Sequence, residues 1–170
     1  MIFVSQSGLT DNTRVADWDR WYIEHLRIMV TVPGISSAQR LRTDTPGFPP
    51  SLAIYSIASP AVFDAPYYQS VRGMGVWQPL IDHRYYKRNL FAGLSEAPPV
   101  AADAHLLVAD RGQPADIVAG VEFIWLQSVG LDRSTPYRGL AVVDAARLLP
   151  LDAAIAVYRP VTPRFTGAAN

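Results

Sequence analysis

Residues 18–26, which read WDRWYIEHL, decide how the first half of the chain folds. Aromatic and apolar side chains recur there at spacings of three and four, the period of one helix face. The members of this face are Trp18, Trp21, Tyr22, His25, Leu26 and Met29. N-cap candidates stand at residues 10–13, and Pro33 and Gly34 provide a stop signal. The stretch therefore predicts an amphipathic helix that extends to about Thr31.

Short strands are predicted on both sides of this helix. Their expected bounds are Ile2–Ser7, Ile35–Arg42, Ser51–Ile57 and Asp82–Phe91. A second, shorter helix over Ala61–Val71 follows Ser59 and Pro60, a cap residue and a favoured first helical residue. The order β-α-β-β-α-β is that of a ferredoxin-like unit, which we assign to residues 1–95.

The remainder of the chain suggests a second, degenerate unit of the same order over residues 100–162. It begins after Pro98 and Pro99. The predicted strands and short helices, in chain order, are His105–Ala109, helix Gln113–Ala119, Val121–Val129, Gly139–Val143, helix Ala145–Leu149 and Ala153–Arg159. Residues 163–170 are expected to form a flexible tail.

These elements predict the α+β class and, within it, a dimeric α/β barrel. A four-stranded sheet with both helices on one face leaves its other face bare, and packing two such sheets together buries both. The two sheets come either from two chains or from a tandem repeat in one chain. We therefore expect a homodimer unless the two halves close one barrel. A pocket between such layers suits a small apolar molecule.

Composition excludes several functional classes. The 170 residues carry 15 basic and 15 acidic side chains and no cysteine. The absence of cysteine rules out disulfides, a thiolate nucleophile and zinc–sulfur sites. Charge neutrality argues against a nucleic-acid partner, and the chain has neither an apolar run of membrane-spanning length nor a signal peptide. We therefore expect a soluble cytoplasmic protein.

The order of motifs in residues 1–95 resembles the EthD-like dimeric α/β barrel superfamily, in particular its HapK/RedY-like branch. The resemblance is carried by residues 18–26, by Val32–Ile35, by Tyr67 and Tyr68 after the Ser59-Pro60 helix start, and by Arg88–Phe91. It implies a barrel with a hydrophobic cavity. Relatives include cofactor-free monooxygenases, isomerases, polyketide-type cyclases and members without known activity. Fold alone does not choose among these activities.

His25 is the leading candidate for a catalytic base. It shares the aromatic face of the first helix with Trp21 and Tyr22, and histidine titrates near neutral pH. Such a base can take a proton from an activated carbon or hydroxyl, while the Tyr22 phenol stabilises the resulting oxyanion and Trp21 contacts the substrate. The alternative is a structural histidine at the edge of the core.

His83 is the second candidate, and either His83 or a tyrosine would be the catalytic acid. In the predicted strand 82–91, His83 and Tyr85 point to one side, and Tyr86 points to the other. Either side could line the pocket, with Tyr85 or Tyr86 contacting the substrate. A solvated edge strand is the alternative interpretation.

Further substrate-binding candidates lie on neighbouring elements. Arg40 and Tyr55 fall on adjacent predicted strands, where they could bind a carboxylate or phenolate. Trp77, after a glycine-containing segment, is a candidate lid residue. We interpret His105 as structural, and three histidines on separate elements give no ligand spacing for a metal. No metal or cofactor is expected.

The resulting hypothesis is a cofactor-independent acid–base enzyme of secondary metabolism, of the cyclase, dehydratase, isomerase or lyase type. Its substrate would be a small apolar molecule, aromatic or polyketide-like. Two alternatives stay open: a non-catalytic protein that binds a hydrophobic small molecule, and a cofactor-free quinol monooxygenase.

Overall fold

A computed structural model describes residues 1–115, 117–146 and 153–167 of the chain. These residues contain two α-helices, α1 (Val15–Met29) and α2 (Pro66–Val71), and eleven strands. The strands are β1 (Ile2–Ser7), β2 (Ile35–Arg42), β3 (Ser51–Ile57), β4 (Lys87–Ala92), β5 (Ala104–Arg111), β6 (Ile117–Val118), β7 (Val121–Glu122), β8 (Ile124–Leu131), β9 (Tyr137–Asp144), β10 (Ile155–Pro160) and β11 (Phe165–Thr166). Short 3₁₀ helices cover Asn12–Arg14, Pro60–Asp64 and Gly75–Leu80.

Eight of these strands form a closed antiparallel barrel. The order around it is β10-β5-β9-β8-β4-β1-β3-β2, and pairing of β10 with β2 closes the ring. Arg159 pairs with Arg42 and Pro160 with Leu41 at this seam. The sheet is therefore complete within one chain and needs no strand from a second copy.

This architecture corrects the predicted ferredoxin-like dimeric α/β barrel. The described part of the chain is mostly β, and the two α-helices found in it lie in the first half of the chain. In the second half, Gln113–Ala119 was predicted as a helix, whereas β6 and β7 form a short hairpin there. Ala119 and Gly120, with φ of 50° and 72°, make the turn of that hairpin. The outer face of this half is therefore covered by a hairpin instead of a helix.

Most predicted strands are confirmed, and three of them have the predicted bounds. Those three are β1, β2 and β3. The turn between α1 and β2 needs Gly34, because its φ is +89° and a Cβ there would stand 2.7 Å from Val62 Cγ2. The second predicted helix is divided at Pro66 into a 3₁₀ helix and α2.

Two further predictions concern the C-terminal part of the chain. The short helix predicted over Ala145–Leu149 lies mostly outside the described residues. The expected flexible tail begins with a structured segment, because β11 pairs with Ala38 and Ser37 of β2.

The buried residues form one core inside the barrel and one on each outer face. The interior is filled by apolar side chains such as Ile54, Leu106 and Tyr158. The outer face of β1–β4 packs against α1 and α2. The outer face of β5, β9 and β10 packs against the segment that contains the β6–β7 hairpin. Within the described residues, no helix is long and apolar enough to cross a membrane.

Candidate functional site

The floor of the candidate site is a row of residues across the outer face of the first four strands. Strand pairing aligns Arg40 with Ala53, Ala53 with Ser5, and Ser5 with Arg88. The two central side chains are small, and arginines stand at both ends. Small residues beneath a helix leave space between helix and sheet, so this row permits a cavity under α1.

Helix α1 forms the roof above this row. Its buried residues Trp18, Tyr22, Leu26 and Met29 face the sheet, as the three- and four-residue spacing predicted. A cavity of about 40 Å³ lies beneath Tyr22 and Met29. The phenols on its wall are Tyr22, Tyr55, Tyr68 and Tyr86, and its other ionisable residues are His25, Arg72 and Arg88. The cavity therefore combines aromatic surface with hydrogen-bond donors.

His25 lines this cavity in an aromatic setting. Its ring stacks on Trp21 at 4.8 Å between centroids and 11° between planes, and it meets the edge of Tyr22 at 5.6 Å. Burial lowers the pKa of His25 from 6.5 to about 4, because a charged imidazolium loses hydration there. His25 is therefore neutral at pH 7 and able to accept a proton.

The phenols of Tyr22 and Tyr55 are fully protonated at neutral pH. Burial raises the pKa of Tyr22, and the nearby Arg40 guanidinium partly opposes that increase. Burial also raises the pKa of Tyr55 well above 10, with a further increase from Tyr22 and Tyr68. Both hydroxyl groups therefore keep their protons, and the two phenols form a hydrogen bond with each other in the cavity wall.

Arg40 lies beside the cavity without lining it. Its guanidinium stacks on Trp18 and Tyr22 at 4.3 and 4.2 Å from the ring centroids. It donates through Nη1 to Asp19 Oδ1 at 2.6 Å and through Nε to Ser51 Oγ at 3.0 Å. Arg40 is completely buried, so it supports the Tyr22 ring from behind instead of reaching a ligand as predicted.

The structure separates His83 and Tyr85 from the cavity. Residues 83–85 form a turn, and β4 begins only at Lys87. The Asp82 carboxylate accepts from the Arg84 backbone N–H at 3.0 Å, and the Asp82 carbonyl accepts from Tyr85 N–H at 3.1 Å. His83 is exposed. The strand predicted to start at Asp82 is therefore wrong over its first residues, although Tyr86 and Arg88 do reach the cavity.

The segment after α2 closes one side of the cavity. Met74 is buried and lines the cavity, and it stands between Gly73 and Gly75, whose φ values are +97° and +50°. Trp77, predicted as a lid residue, is buried nearby, with the Arg14 guanidinium 5.1 Å from its ring centroid. Met74 therefore lines the cavity, whereas Trp77 packs in the buried cluster beside it.

Sequence reasoning missed three ionisable residues of the wall. They are Tyr68, Arg72 and Arg88. Burial raises the pKa of Tyr68, while Arg88 and Arg72 oppose the increase, which shows that these groups are close together. Tyr68 and Arg88 belong to the motifs that carry the family resemblance, and that was the available signal for them.

Other regions offer less chemistry. Within the described residues, no group of three or more His, Asp and Glu side chains could hold a metal ion. His105 is half-buried, and its Nδ1 has no hydrogen-bond partner among the described residues. A larger groove of about 690 Å³ runs between residues 99–102 and 160–164, but Arg164 is the sole charged residue on its wall.

Comparisons with known proteins assign neither a family nor a relative. No protein-family model matches the chain, and no curated protein matches its sequence. The resemblance to the EthD-like superfamily therefore stays a prediction.

Proposed function

We propose that the protein is a cofactor-independent enzyme that performs acid–base chemistry on a small aromatic or polyketide-like molecule. The observation that carries the proposal is the setting of His25. It is neutral at pH 7, lies against Trp21, and lines a cavity with four phenols. A proton acceptor next to several neutral donors is the arrangement that enolisation requires.

The proposed step moves one proton. His25 takes a proton from a carbon next to a substrate carbonyl, and the electron pair of the C–H bond moves to the carbonyl oxygen as an enolate. The Tyr22 hydroxyl donates a hydrogen bond to that oxygen, and a second cavity phenol takes the acid role for which His83 was predicted. Return of the proton from the imidazolium to another atom gives isomerisation. Alternatively, the enolate carbon forms a bond to a second carbonyl carbon, the π electrons of that carbonyl move to its oxygen, and this oxygen takes the proton from the imidazolium, which gives cyclisation.

Ligand entry requires movement of the cavity wall. The cavity of about 40 Å³ holds only a few water molecules, whereas a single benzene ring fills a space of roughly 150 Å³. Met74 is the movable part, because the glycines on either side of it already adopt backbone angles that few other residues allow. Displacement of Met74 opens the cavity toward exposed Gly73.

A second candidate, a non-catalytic binder, is supported by the same pKa. A base with a pKa of about 4 is weaker than the near-neutral base that is optimal at pH 7. The aromatic wall would still bind a hydrophobic molecule. The third prediction, a quinol monooxygenase, has no specific support in the geometry, and oxygen uptake with hydroquinone is its test.

The finer architecture is also part of this proposal. The strand order β4-β1-β3-β2 of the first half is repeated as β10-β5-β9-β8 in the second half. Each half therefore places its first strand between its third and fourth strands, as a ferredoxin-like unit does. This repetition supports two fused units, for which we keep the predicted boundaries at 1–95 and 100–162, with the β6–β7 hairpin where the first helix of the second unit was predicted.

Deuterium exchange tests the proposed proton abstraction without knowledge of the natural substrate. The probe is 1-indanone, an aryl ketone, and NMR follows the loss of its α-protons in D₂O near neutral pD. We expect the wild-type protein to accelerate exchange, H25Q to lose about a hundredfold or more of the acceleration, and Y22F to lose about tenfold. R20Q, a change of an exposed arginine on α1, is the control.

Two outcomes would decide against the enzyme. Equal exchange rates with wild-type protein and H25Q would remove the assigned base. Binding of 1-indanone at the cavity without any acceleration of exchange would favour the non-catalytic binder.

A further inference from the structure

The charged side chains that line the cavity are all positive. Arg72 and Arg88 both line the cavity, and no acidic residue does. Within the described residues, neither guanidinium takes part in an ion pair. Arg72 Nε donates to Gln69 Oε1 at 2.6 Å, a neutral partner. Arg40, at the opposite end of the floor row, differs because Asp19 neutralises it.

The position of Arg88 follows from the sheet. Arg88 lies opposite Ser5 in the β1–β4 pairing, so its side chain starts beside the small residue that forms the floor. The Asp132 carboxylate accepts a hydrogen bond from Arg88 at 2.7 Å, but the donor is the Arg88 backbone N–H and not the guanidinium. The Arg88 guanidinium is therefore left to bind a group that enters the cavity.

We propose that the ligand of this cavity is an aromatic carboxylate, whose anionic group is bound by Arg88 with Arg72 while its ring lies among the phenols and His25. This inference rests on the proposed function of the same cavity. Arginine presents a planar pair of N–H donors that matches both oxygens of a carboxylate. Protonated phenols and a neutral imidazole add donors without adding a negative charge that would repel the ligand.

A bound anion also changes the base. His25 is neutral because burial disfavours its charged form, and a carboxylate in the same cavity favours that form. Binding therefore raises the pKa of His25 toward neutral pH, where a general base is most effective. The protein would hold a weak base when empty and a stronger one when the ligand is bound.

Benzoate and benzamide test this inference, because they have nearly the same shape and differ in charge. Binding is followed by NMR titration of the cavity residues with wild-type protein, R88Q, R72Q and the control R20Q. We expect benzoate to bind wild-type protein about tenfold more tightly than benzamide, and higher salt to reduce the difference. R88Q should lose this preference and still bind benzamide normally, R72Q should lose part of it, and R20Q should behave as wild type.

The His25 ring resonances give a readout that a structural role of Arg88 would not produce. Saturating benzoate should raise the pKa of His25, and benzamide should not. Equal affinities for the two probes, with the cavity residues perturbed by both, would overturn the carboxylate inference and leave the proposed function intact. Failure of both probes to perturb any cavity residue would overturn the inference and the proposed function together.

Discussion

The two outer faces of this barrel differ although the strands beneath them have the same order. The face of β1–β4 carries Ser5, Arg40, Tyr55 and Arg88 under an aromatic helix. The face of β5, β9 and β10 carries Leu107, Ala109, Ala141, Val143 and Ile155 under a hairpin. The first, which we call the polar face, therefore combines an apolar cluster with polar groups and a cavity, and the second, which we call the apolar face, is lined by apolar residues. The candidate site therefore lies on the outer face of the first half of the chain, and the second half completes the barrel.

The largest expected effect is on stability and comes from the apolar face. Leu107 is fully buried there, so L107A should lower the free energy of unfolding by about 3 kcal/mol through lost burial and a residual cavity. Urea denaturation measures this loss. Benzoate affinity of the folded protein should not change, because Leu107 lies on the face without the site. A lower benzoate affinity in L107A would show that the two faces are coupled and would contradict their separation.

On the polar face, protein stability should depend on the ion pair of a buried arginine. Asp19 pairs with Arg40, which is fully buried, and with Arg42, which is partly exposed. D19N leaves the buried guanidinium without its counter-charge, and we expect a loss of about 2 kcal/mol in urea denaturation. R42Q removes only the outer partner and should cost less than about 1 kcal/mol. If D19N and R42Q lowered the free energy of unfolding equally, burial of Arg40 would not explain the loss in D19N.

The pH dependence of stability should also originate on the polar face. Burial lowers the pKa of His25 from 6.5 to about 4, so the folded protein binds fewer protons than the unfolded chain between these values. The free energy of unfolding therefore rises with pH across that interval, and the contribution is lost as pH falls below about 6.5. With a discount for the partly exposed ring, the contribution is about 2 kcal/mol.

The difference between wild-type protein and H25Q isolates this contribution. Urea denaturation at several pH values should give a shallower pH dependence for H25Q. H83Q alters an exposed histidine in a turn and should retain the wild-type dependence. If H25Q and wild type had parallel pH profiles, the imidazole would not be desolvated in solution.

The smallest expected effect concerns one cavity hydroxyl. Y55F keeps the ring and its stacking on Phe3, whose centroid lies 5.1 Å away, so stability should change by less than about 1 kcal/mol. Loss of the donor should weaken benzoate binding about fivefold in an NMR titration. F123L, on the opposite outer face, should leave binding unchanged. An effect of F123L as large as that of Y55F would contradict the separation of the faces.

The sequence predicted the polar face better than the apolar one, for local reasons. Strands β1, β2 and β3 are bounded by clear signals such as Pro33-Gly34 and Ser59-Pro60, and helical spacing put Tyr22 and His25 on one face. The β6–β7 hairpin was mistaken for a helix because a short apolar run fits both periods, and only Gly120 indicated a turn. The α+β class, with a layer of helices on each half, was therefore only partly correct.

Residues of the site that come from distant segments could not be predicted from local patterns. His83 was placed on a strand because alternation is visible in the sequence, whereas the Asp82 carboxylate folds residues 82–85 into a turn. Arg72 and Arg88 meet at the cavity only through tertiary structure, since one follows α2 and the other lies on β4. Whether these two guanidinium groups have an acidic partner depends on which residues meet in the folded cavity wall, so no single segment of the sequence could predict it.

The seam between β2 and β10 has a consequence for synthesis of the chain. At this seam Arg159 also pairs with Asp44, a contact between residues 115 positions apart. During translation, β4 gains its neighbour β8 before β10 has left the ribosome, whereas the outer hydrogen-bonding groups of β2 still lack their β10 partner. Exposed strand edges of this kind promote association between nascent chains. Residues 155–160 supply the last strand of the barrel in chain order, so β2 is the edge that waits longest for its neighbour.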